Sequence, residues 1–317
     1  MEEKLVEYLE KKKNPYVSIV AKELGIEEYG IYGLIEVLKN KGYYYEIIES
    51  QIKRIKPIKE SEVYCVESKL ERIKLLLISD THLGSKYDRL DILRYLYEEA
   101  EDRGVNYVLH SGDLTEGRSN REEQIYELRE TSYTGQRDYV VEKYPKSSIP
   151  TYIVAGNHDF WWIKRSGSDI VKDICERRED LTYLGSDCED IKIGKLKIRL
   201  FHGKGGNAYA KSYKLQKYLD SIAVSERPHI LQTGHIHQAF YYKQDNTHCF
   251  QTSCLQDLTP FERSMGFSSN KSCWWVEIYM DNKGNPARIS QELQTFDTKR
   301  LIKTIKWCWQ TTEIMLR

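Results

Sequence analysis

The sequence predicts an α/β protein carrying a small N-terminal helical module. Three observations predict it. The run Ile73-Lys74-Leu75-Leu76-Leu77-Ile78 is short, almost continuously apolar and bounded by polar residues, as a strand buried on both faces is. A helix-spaced segment and a second apolar run ending at His110 follow, and a strand–helix–strand unit of that size implies a parallel pair with a right-handed crossover. The first fifth of the chain instead shows three short amphipathic segments and an alternating stretch.

Composition sets the outer bounds. The chain has 317 residues, enough for one large domain and a small one, with ordinary apolar and charged fractions. No apolar stretch reaches bilayer length, and the N-terminus lacks a signal-peptide plan, so a cytoplasmic protein without membrane association is expected. Formal charge is zero, so no whole-molecule field draws it to nucleic acid. Seven cysteines, scattered and without a C-x-x-C pair, argue for reduced thiols rather than a disulfide framework or a zinc ribbon.

In chain order, Leu5, Val6 and Leu9 have helical spacing, and Asn14-Pro15 breaks that helix. Ser18 to Ile26 reads as a short helix capped at Gly25. A third helix, about Glu28 to Lys41, places Ile31, Leu34, Ile35 and Leu38 on one face and ends at Gly42, after which Tyr43 to Ile55 alternates like a hairpin. This order resembles a winged helix-turn-helix domain over residues 1–56. Residues 1–72 hold thirteen basic against fourteen acidic side chains, and Glu27 and Glu28 open the helix in the recognition position. The basic residues Lys53, Arg54, Lys56 and Lys59 cluster at the wing. Since phosphate contacts supply most nonspecific DNA affinity, DNA binding and protein contact both stay open for this module.

Residues 57–71 read as a charged connector with a strand near Glu62 to Val66, and 72–295 as the large domain. There, Leu90, Leu93, Leu96 and Tyr97 predict a helix ending at Gly104, and Val105 to His110 the next strand. Residues 120–143 read as a polar helical region. Strands follow at Thr151 to Ala155, Lys195 to Phe201 and Pro228 to Gln232, with helices near Asp169 to Arg178 and Lys211 to Val224 between them. Ala239 to Tyr242 and Cys273 to Tyr279 read as antiparallel strands. The tail, 296–317, carries Trp307, Trp309, Ile314 and Met315 and could dock a protein partner.

Five of the predicted strands end in metal-type ligands: Asp80 and His82, Asp113, Asn157 and His158, His202, and His235 and His237. Five of the eight histidines lie in these turns, with glycines at 84, 112, 156, 203 and 234 beside them. Ligands of open α/β sheets sit at the carboxyl ends of strands. Carboxylate, imidazole and amide oxygen without thiolate form a set suited to borderline divalent cations.

The ordered series D-x-H, G-D, G-N-H-D, H-G and G-H-x-H, intact between residues 73 and about 240, resembles the calcineurin-like metallophosphoesterase superfamily. That resemblance implies a four-layer α/β/β/α sandwich and two divalent ions, Mn²⁺ favoured, with Fe, Zn, Ni or Co as alternatives. It implies that Asp80, His82 and His237 hold one ion and Asn157, His202 and His235 the other, with Asp113 bridging. It makes His158 a general acid or transition-state stabiliser, with Asp159 expected to orient it. Two such ions activate a water for in-line attack on a phosphoryl group. His110 could lie behind the ligands, but a packed strand-end histidine is the simpler reading. Tyr209, Tyr213 and Phe160-Trp161-Trp162 are candidates for stacking on bases.

Two features lean toward diesters. The superfamily's serine/threonine phosphatases carry an arginine four residues after the bridging aspartate; here that position is Gly117, and Arg118 is out of register. Ser79 to Gly84 and the aspartate of G-N-H-D resemble the repair-exonuclease branch. A nucleic-acid phosphodiesterase is therefore expected. The alternatives are a phosphomonoesterase acting on a small molecule or phosphoprotein, and a DNA-binding regulator with an inert phosphoesterase domain.

Overall fold

The structure, a computed structural model, describes residues 1–12, 15–40, 45–54, 63–205 and 211–296. Sequence expectations resting on Gly42, Lys56, Lys59, Gly206, Tyr209 and the tail from 297 lie outside the described residues. The chain divides into two compact units, 1–62 and 63–317.

The first unit contains α1 (Glu2–Lys11), α2 (Val17–Leu24), α3 (Glu28–Asn40) and the antiparallel pair β1 (Tyr45–Ile48) and β2 (Gln51–Arg54). Gly25, with φ of 67°, ends α2 in a left-handed cap that a side chain would strain. Leu5, Val20, Ile31, Ile35, Leu38 and Ile52 form its core.

In the second unit, β3 (Tyr64–Val66) precedes β4 (Arg72–Ile78), α4 (Leu90–Asp102) and β5 (Tyr107–His110). Then come α5 (Tyr133–Lys143), β6 (Thr151–Ala155), α6 (Asn157–Ser166), α7 (Ile170–Cys175) and β7 (Leu181–Ser186). Next are β8 (Cys188–Ile193), β9 (Leu196–Phe201), α8 (Tyr213–Asp220) and β10 (Ile230–Thr233). The described chain closes with β11 (Phe240–Gln244), β12 (Thr247–Gln251), α9 (Pro260–Ser264), β13 (Lys271–Met280) and β14 (Pro286–Phe296).

These strands form two six-stranded sheets, ordered β14-β13-β4-β5-β6-β7 and β11-β12-β10-β9-β8-β3. β4, β5, β6 and β7 run parallel, and β13 and β14 extend that sheet antiparallel. Strand alternation sends Ile73, Leu75 and Leu77 of β4 into the space between the sheets, where Ile198, Leu200, Ile230 and Phe250 meet them. Leu76 and Ile78 point the other way, onto Leu93 and Leu96 of α4. On the far face of the second sheet, Leu215 and Leu219 of α8 cover Leu231 and Cys249. The result is a pair of sheets flanked by helices, the predicted sandwich.

Several expectations need correction. The polar region 120–143 is not one helix. Glu122–Tyr126 makes a 3₁₀ turn and α5 starts only after Ser132, whose hydroxyl accepts from Gly135 N. The strand expected within the connector pairs in parallel with β8, so the second sheet begins ahead of residue 72. Gly156-Asn157-His158-Asp159 is the start of α6 rather than a free turn. β14 completes the antiparallel region expected up to about residue 292; its own residues alternate weakly, and pairing along β13 supplies the order.

Candidate metal centre

Every predicted ligand sits where a strand of one sheet or the other runs out. β4 delivers Asp80 and His82, β5 delivers Asp113, β6 leads into Asn157, β9 ends just before His202, and β10 leads to His235 and His237. Asp80, His82, Asp113, His235 and His237 hold φ between 45° and 76° although none is glycine. This left-handed region costs an L residue conformational energy and is tolerated where surrounding structure enforces it. Backbone bonds enforce it here: Asp80 N donates to Gly112 O at 2.9 Å, His82 N to Asp113 O at 3.1 Å and Leu255 N to Asp80 O at 2.9 Å. Glycine is required between the ligands. At Gly156 a Cβ would collide with the Asp113 carboxylate and come within 2.8 Å of the His202 ring.

The ligand atoms form two groups. Those of Asp80, His82 and His237 lie within 4.8 Å of one another, and so do those of Asp113, His202 and His235. Asp113 joins them: its Oδ2 lies 3.1 Å from His202 Nε2 and 4.0 Å from His82 Nε2. Asn157 Oδ1 lies 3.0 Å from His202 Nε2.

The tautomers test whether cations fit. His237 Nδ1 faces Glu262 Oε1 at 3.0 Å, and His82 Nδ1 faces Glu116 Oε2 at 3.2 Å, obliquely enough to be an ion-pair contact rather than an aligned hydrogen bond. Carboxylates on both Nδ1 atoms favour protons there and turn both Nε2 atoms, 3.0 Å apart, inward as the nitrogens a cation would take. His202 Nδ1 faces the Ser111 carbonyl at 2.8 Å, and its Nε2 is turned to the oxygens of Asp113 and Asn157. Imidazole nitrogens and carboxylate oxygens crowded at these distances hold protons between them, and a divalent cation would take the place of those protons. The donor set fits divalent cations.

Electrostatics follow the same plan. Burial alone would raise the carboxyl of Asp80, but its hydrogen bond to His237 and the neighbouring imidazoles hold it below the usual range. Asp113 is lowered likewise, the charges of His202 and His158 overcoming burial. Burial opposes protonation of His82 and His202, yet Glu116 and Asp113 respectively raise each to about 9. His158 is lowered, chiefly by burial, against the pull of Asp113.

His158 is fixed at three points. Its backbone N donates to Asp113 Oδ1 at 2.8 Å, its Nδ1 meets the Glu116 carbonyl at 2.8 Å, and its ring lies over Trp161 with centroids 4.0 Å apart. Asp159 does not orient it, contrary to expectation. The Asp159 carboxylate accepts from Leu114 N, Thr115 N, Thr115 Oγ1 and Gly156 N at 2.7–3.1 Å, tying the β5 and β6 loops together. The start of α6 turns that side chain away from the His158 ring. A second correction concerns sulfur: the Cys254 thiol, remote in sequence, is buried, donates to Gln256 O at 3.5 Å and, against burial, is lowered by the charge of neighbouring His237, so the centre does have a thiol neighbour.

Glu116 and Glu262 are the residues that sequence reasoning missed. Glu262 left a signal, since Thr259-Pro260-Phe261-Glu262 is a capping box and its Oε2 accepts from Thr259 N at 2.9 Å. Glu116 left none. His110 is the packed strand-end residue expected, hydrogen-bonded to Thr81 Oγ1 at 3.1 Å and lowered to about 4 by burial. Of the stacking candidates, Trp162 is buried in the core and Tyr213 is exposed on α8. Trp161 lines a cavity of about 470 Å³ over the ligands, with Phe261 and Phe267 on its rim.

Comparison with known proteins agrees with this geometry. An uncharacterized metallophosphoesterase of Helicobacter pylori is 28% identical over 148 residues, covering 46% of this chain and 34% of that protein. The DNA polymerase II small subunit of Methanocaldococcus jannaschii is 23% identical over 244 residues, covering 62% of this chain and 41% of that protein. The chain thus spans well under half the length of these relatives. Among solved structures, an archaeal phosphodiesterase superposes with a TM-score of 0.42 at 17% identity, covering 70% of this chain and 99% of that one. A putative 5'-nucleotidase of Staphylococcus aureus gives 0.47 at 14% identity, covering 73% and 56%. The model of the calcineurin-like phosphoesterase superfamily domain matches residues 73–255, more than half of the chain and the whole run of strand-end ligands, and the chain belongs to that superfamily.

Proposed function

We infer that this chain is a metal-dependent phosphoric ester hydrolase whose substrate is a phosphodiester, with nucleic acid as the favoured class. One observation carries the reading: imidazole nitrogens and carboxylate oxygens from five strand ends converge on two adjacent points joined by Asp113. Divalent ions held there, Mn²⁺ favoured, supply Lewis acidity and an activated water for attack on phosphorus.

The chain's own residues do the rest. Asp80, His82 and His237 hold one position, and Asn157, His202 and His235 the other. Glu116 and Glu262 keep the first pair of imidazoles in the tautomer that binds metal. His158, anchored through Nδ1, is left with Nε2 to give a proton or a hydrogen bond to the leaving oxygen. Burial favours its neutral form, and the negative charge of a bound phosphoester would raise its pKa into a useful range.

Diester preference rests on Gly117, which stands where a clamping arginine would meet a dianionic monoester. Likeness to a DNA polymerase subunit supports nucleic acid as the polymer. For the first unit, three helices followed by a hairpin support a winged-helix reading. The exposed side chains of α3 include Glu28, Tyr29, Tyr32, Glu36 and Val37, with no basic residue among those described. Such a face favours a protein partner over a phosphate backbone. Turnover of bis-p-nitrophenyl phosphate and p-nitrophenyl phosphate with Mn²⁺ tests the reading. A diester preference is expected; preference for the monoester would transfer the assignment to a phosphomonoesterase, and no turnover of either with any metal would overturn it.

A further inference from the structure

Two cavities flank the His235-Ile236 segment, and they differ in charge. The one over His82 and His158 also carries Asp113, Glu116, Glu127 and Glu262, against one arginine, Arg121, which is itself paired with Glu127. The other, about 390 Å³, runs from His202 and His235 along α8 and is lined by Lys204, Lys211, Lys214 and Lys217. No carboxylate lines it among the described residues. Lys204 contacts one acid from outside, Asp187 Oδ2 at 2.6 Å. Lys211, in the turn before α8, and Lys214 and Lys217, on its first turns, are exposed, and Lys214 Nζ also donates to the Lys204 carbonyl at 3.2 Å. Phe201 and Tyr218, stacked at 4.3 Å and 15°, make one wall of the trough.

A chain whose net charge is zero has gathered four cations beside its metal ligands, over an aromatic wall. Positive grooves with aromatic rings are how proteins track single-stranded nucleic acid. We propose that this trough is a backbone subsite for a single-stranded nucleic acid whose scissile phosphate lies at the metal centre. The inference rests on the phosphodiesterase reading and adds a direction to it. Phosphates flanking the cut run along α8, because carboxylates line the opposite cavity and repel them. An uncharged base on the other side of the cut meets Trp161, Phe261 and Phe267 instead.

The test uses the full chain with Mn²⁺, a labelled, cleavage-resistant phosphorothioate oligonucleotide and, separately, bis-p-nitrophenyl phosphate. In Lys211→Ala/Lys214→Ala/Lys217→Ala, oligonucleotide affinity should fall on the order of tenfold or more, and the log–log dependence of affinity on salt should become shallower by about 2, as three lost phosphate contacts require. The Lys→Arg triple variant should restore the slope. The small diester is too short to enter the trough, so its kcat/KM should stay near wild type. A wild-type protein that does not bind the oligonucleotide, or an alanine variant with an unchanged salt slope, overturns the subsite. An altered slope with no diester turnover by either protein would leave the subsite standing and reject the hydrolase reading.

Discussion

At the scale of single residues, the centre is defined by which nitrogen each imidazole turns inward. His158 differs from the ligands because its Nδ1 is held by a backbone carbonyl and its ring is stacked on Trp161. If it gives a proton, His158→Asn should lower kcat for a poor leaving group such as a nucleoside by about 10²–10⁴-fold. Cleavage of p-nitrophenyl esters, whose leaving group needs no proton, should fall much less. Equal losses on both substrates would assign it to charge stabilisation. Asp159 is a different case. Burial, then the charge of Asp113, pushes its carboxyl up to about 7 against the hydrogen bonds it accepts. The folded state therefore holds a proton that the unfolded chain releases above 3.8, and this group's contribution to stability declines as pH rises from there through 7. Asp159→Asn removes that burden but turns an NH₂ toward backbone N–H donors. The two effects oppose each other, so the expected signature is in the pH dependence: the decline in stability between about pH 4 and 7 should be shallower in Asp159→Asn than in wild type in urea melts, and an unchanged slope would refute the raised carboxyl.

Among elements, the two sheets are fastened where the chemistry sits. The side-chain amide of Gln232, on β10, donates to the carbonyls of Ile78 at 2.9 Å and Leu109 at 3.1 Å, at the ends of β4 and β5. Gln232→Leu should cost about 1–3 kcal/mol by removing the amide that bridges buried carbonyls of the two strands, the Ile78 carbonyl keeping only Ser111 N. It should also weaken Mn²⁺ retention, read by metal analysis after dialysis, because ligands from both sheets depend on that alignment. Removal of stability alone, with metal content unchanged, would show that the sheets hold register without it. The strand ends themselves were legible in the sequence: an apolar run that stops at Asp80 or His202 is a local pattern, and its ligands follow within a few residues. The supports were not. Glu116, Gln232 and Cys254 act on partners brought near only by the fold, and their own neighbourhoods carry no period or motif. Asp159 was misread for a related reason: adjacency to His158 in sequence suggested contact, while the first turn of α6 sends the two side chains apart.

For the molecule as a whole, metal and protons compete for the same nitrogens. His82 and His202 stand at about 9 in the metal-free protein, against an ordinary 6.5. Their stabilisation of the metal-free fold is complete below 6.5 and is lost as pH climbs through 9. Metal takes the neutral rings, so its affinity rises over the same interval as fewer protons must be displaced. The increase in Tm on adding Mn²⁺ should therefore widen between pH 6.5 and 9, measured by scanning calorimetry in matched salt; a constant or shrinking increase would refute the competition. The left-handed backbones of the ligands add one further consequence. Each of the five costs on the order of 1–3 kcal/mol, so durability and activity select for different residues along this rim. His235→Gly should raise the Tm of the metal-free protein while abolishing metal retention. A descendant released from catalysis would become sturdier by shedding its ligands, and its decay would begin at the catalytic edge rather than in the core.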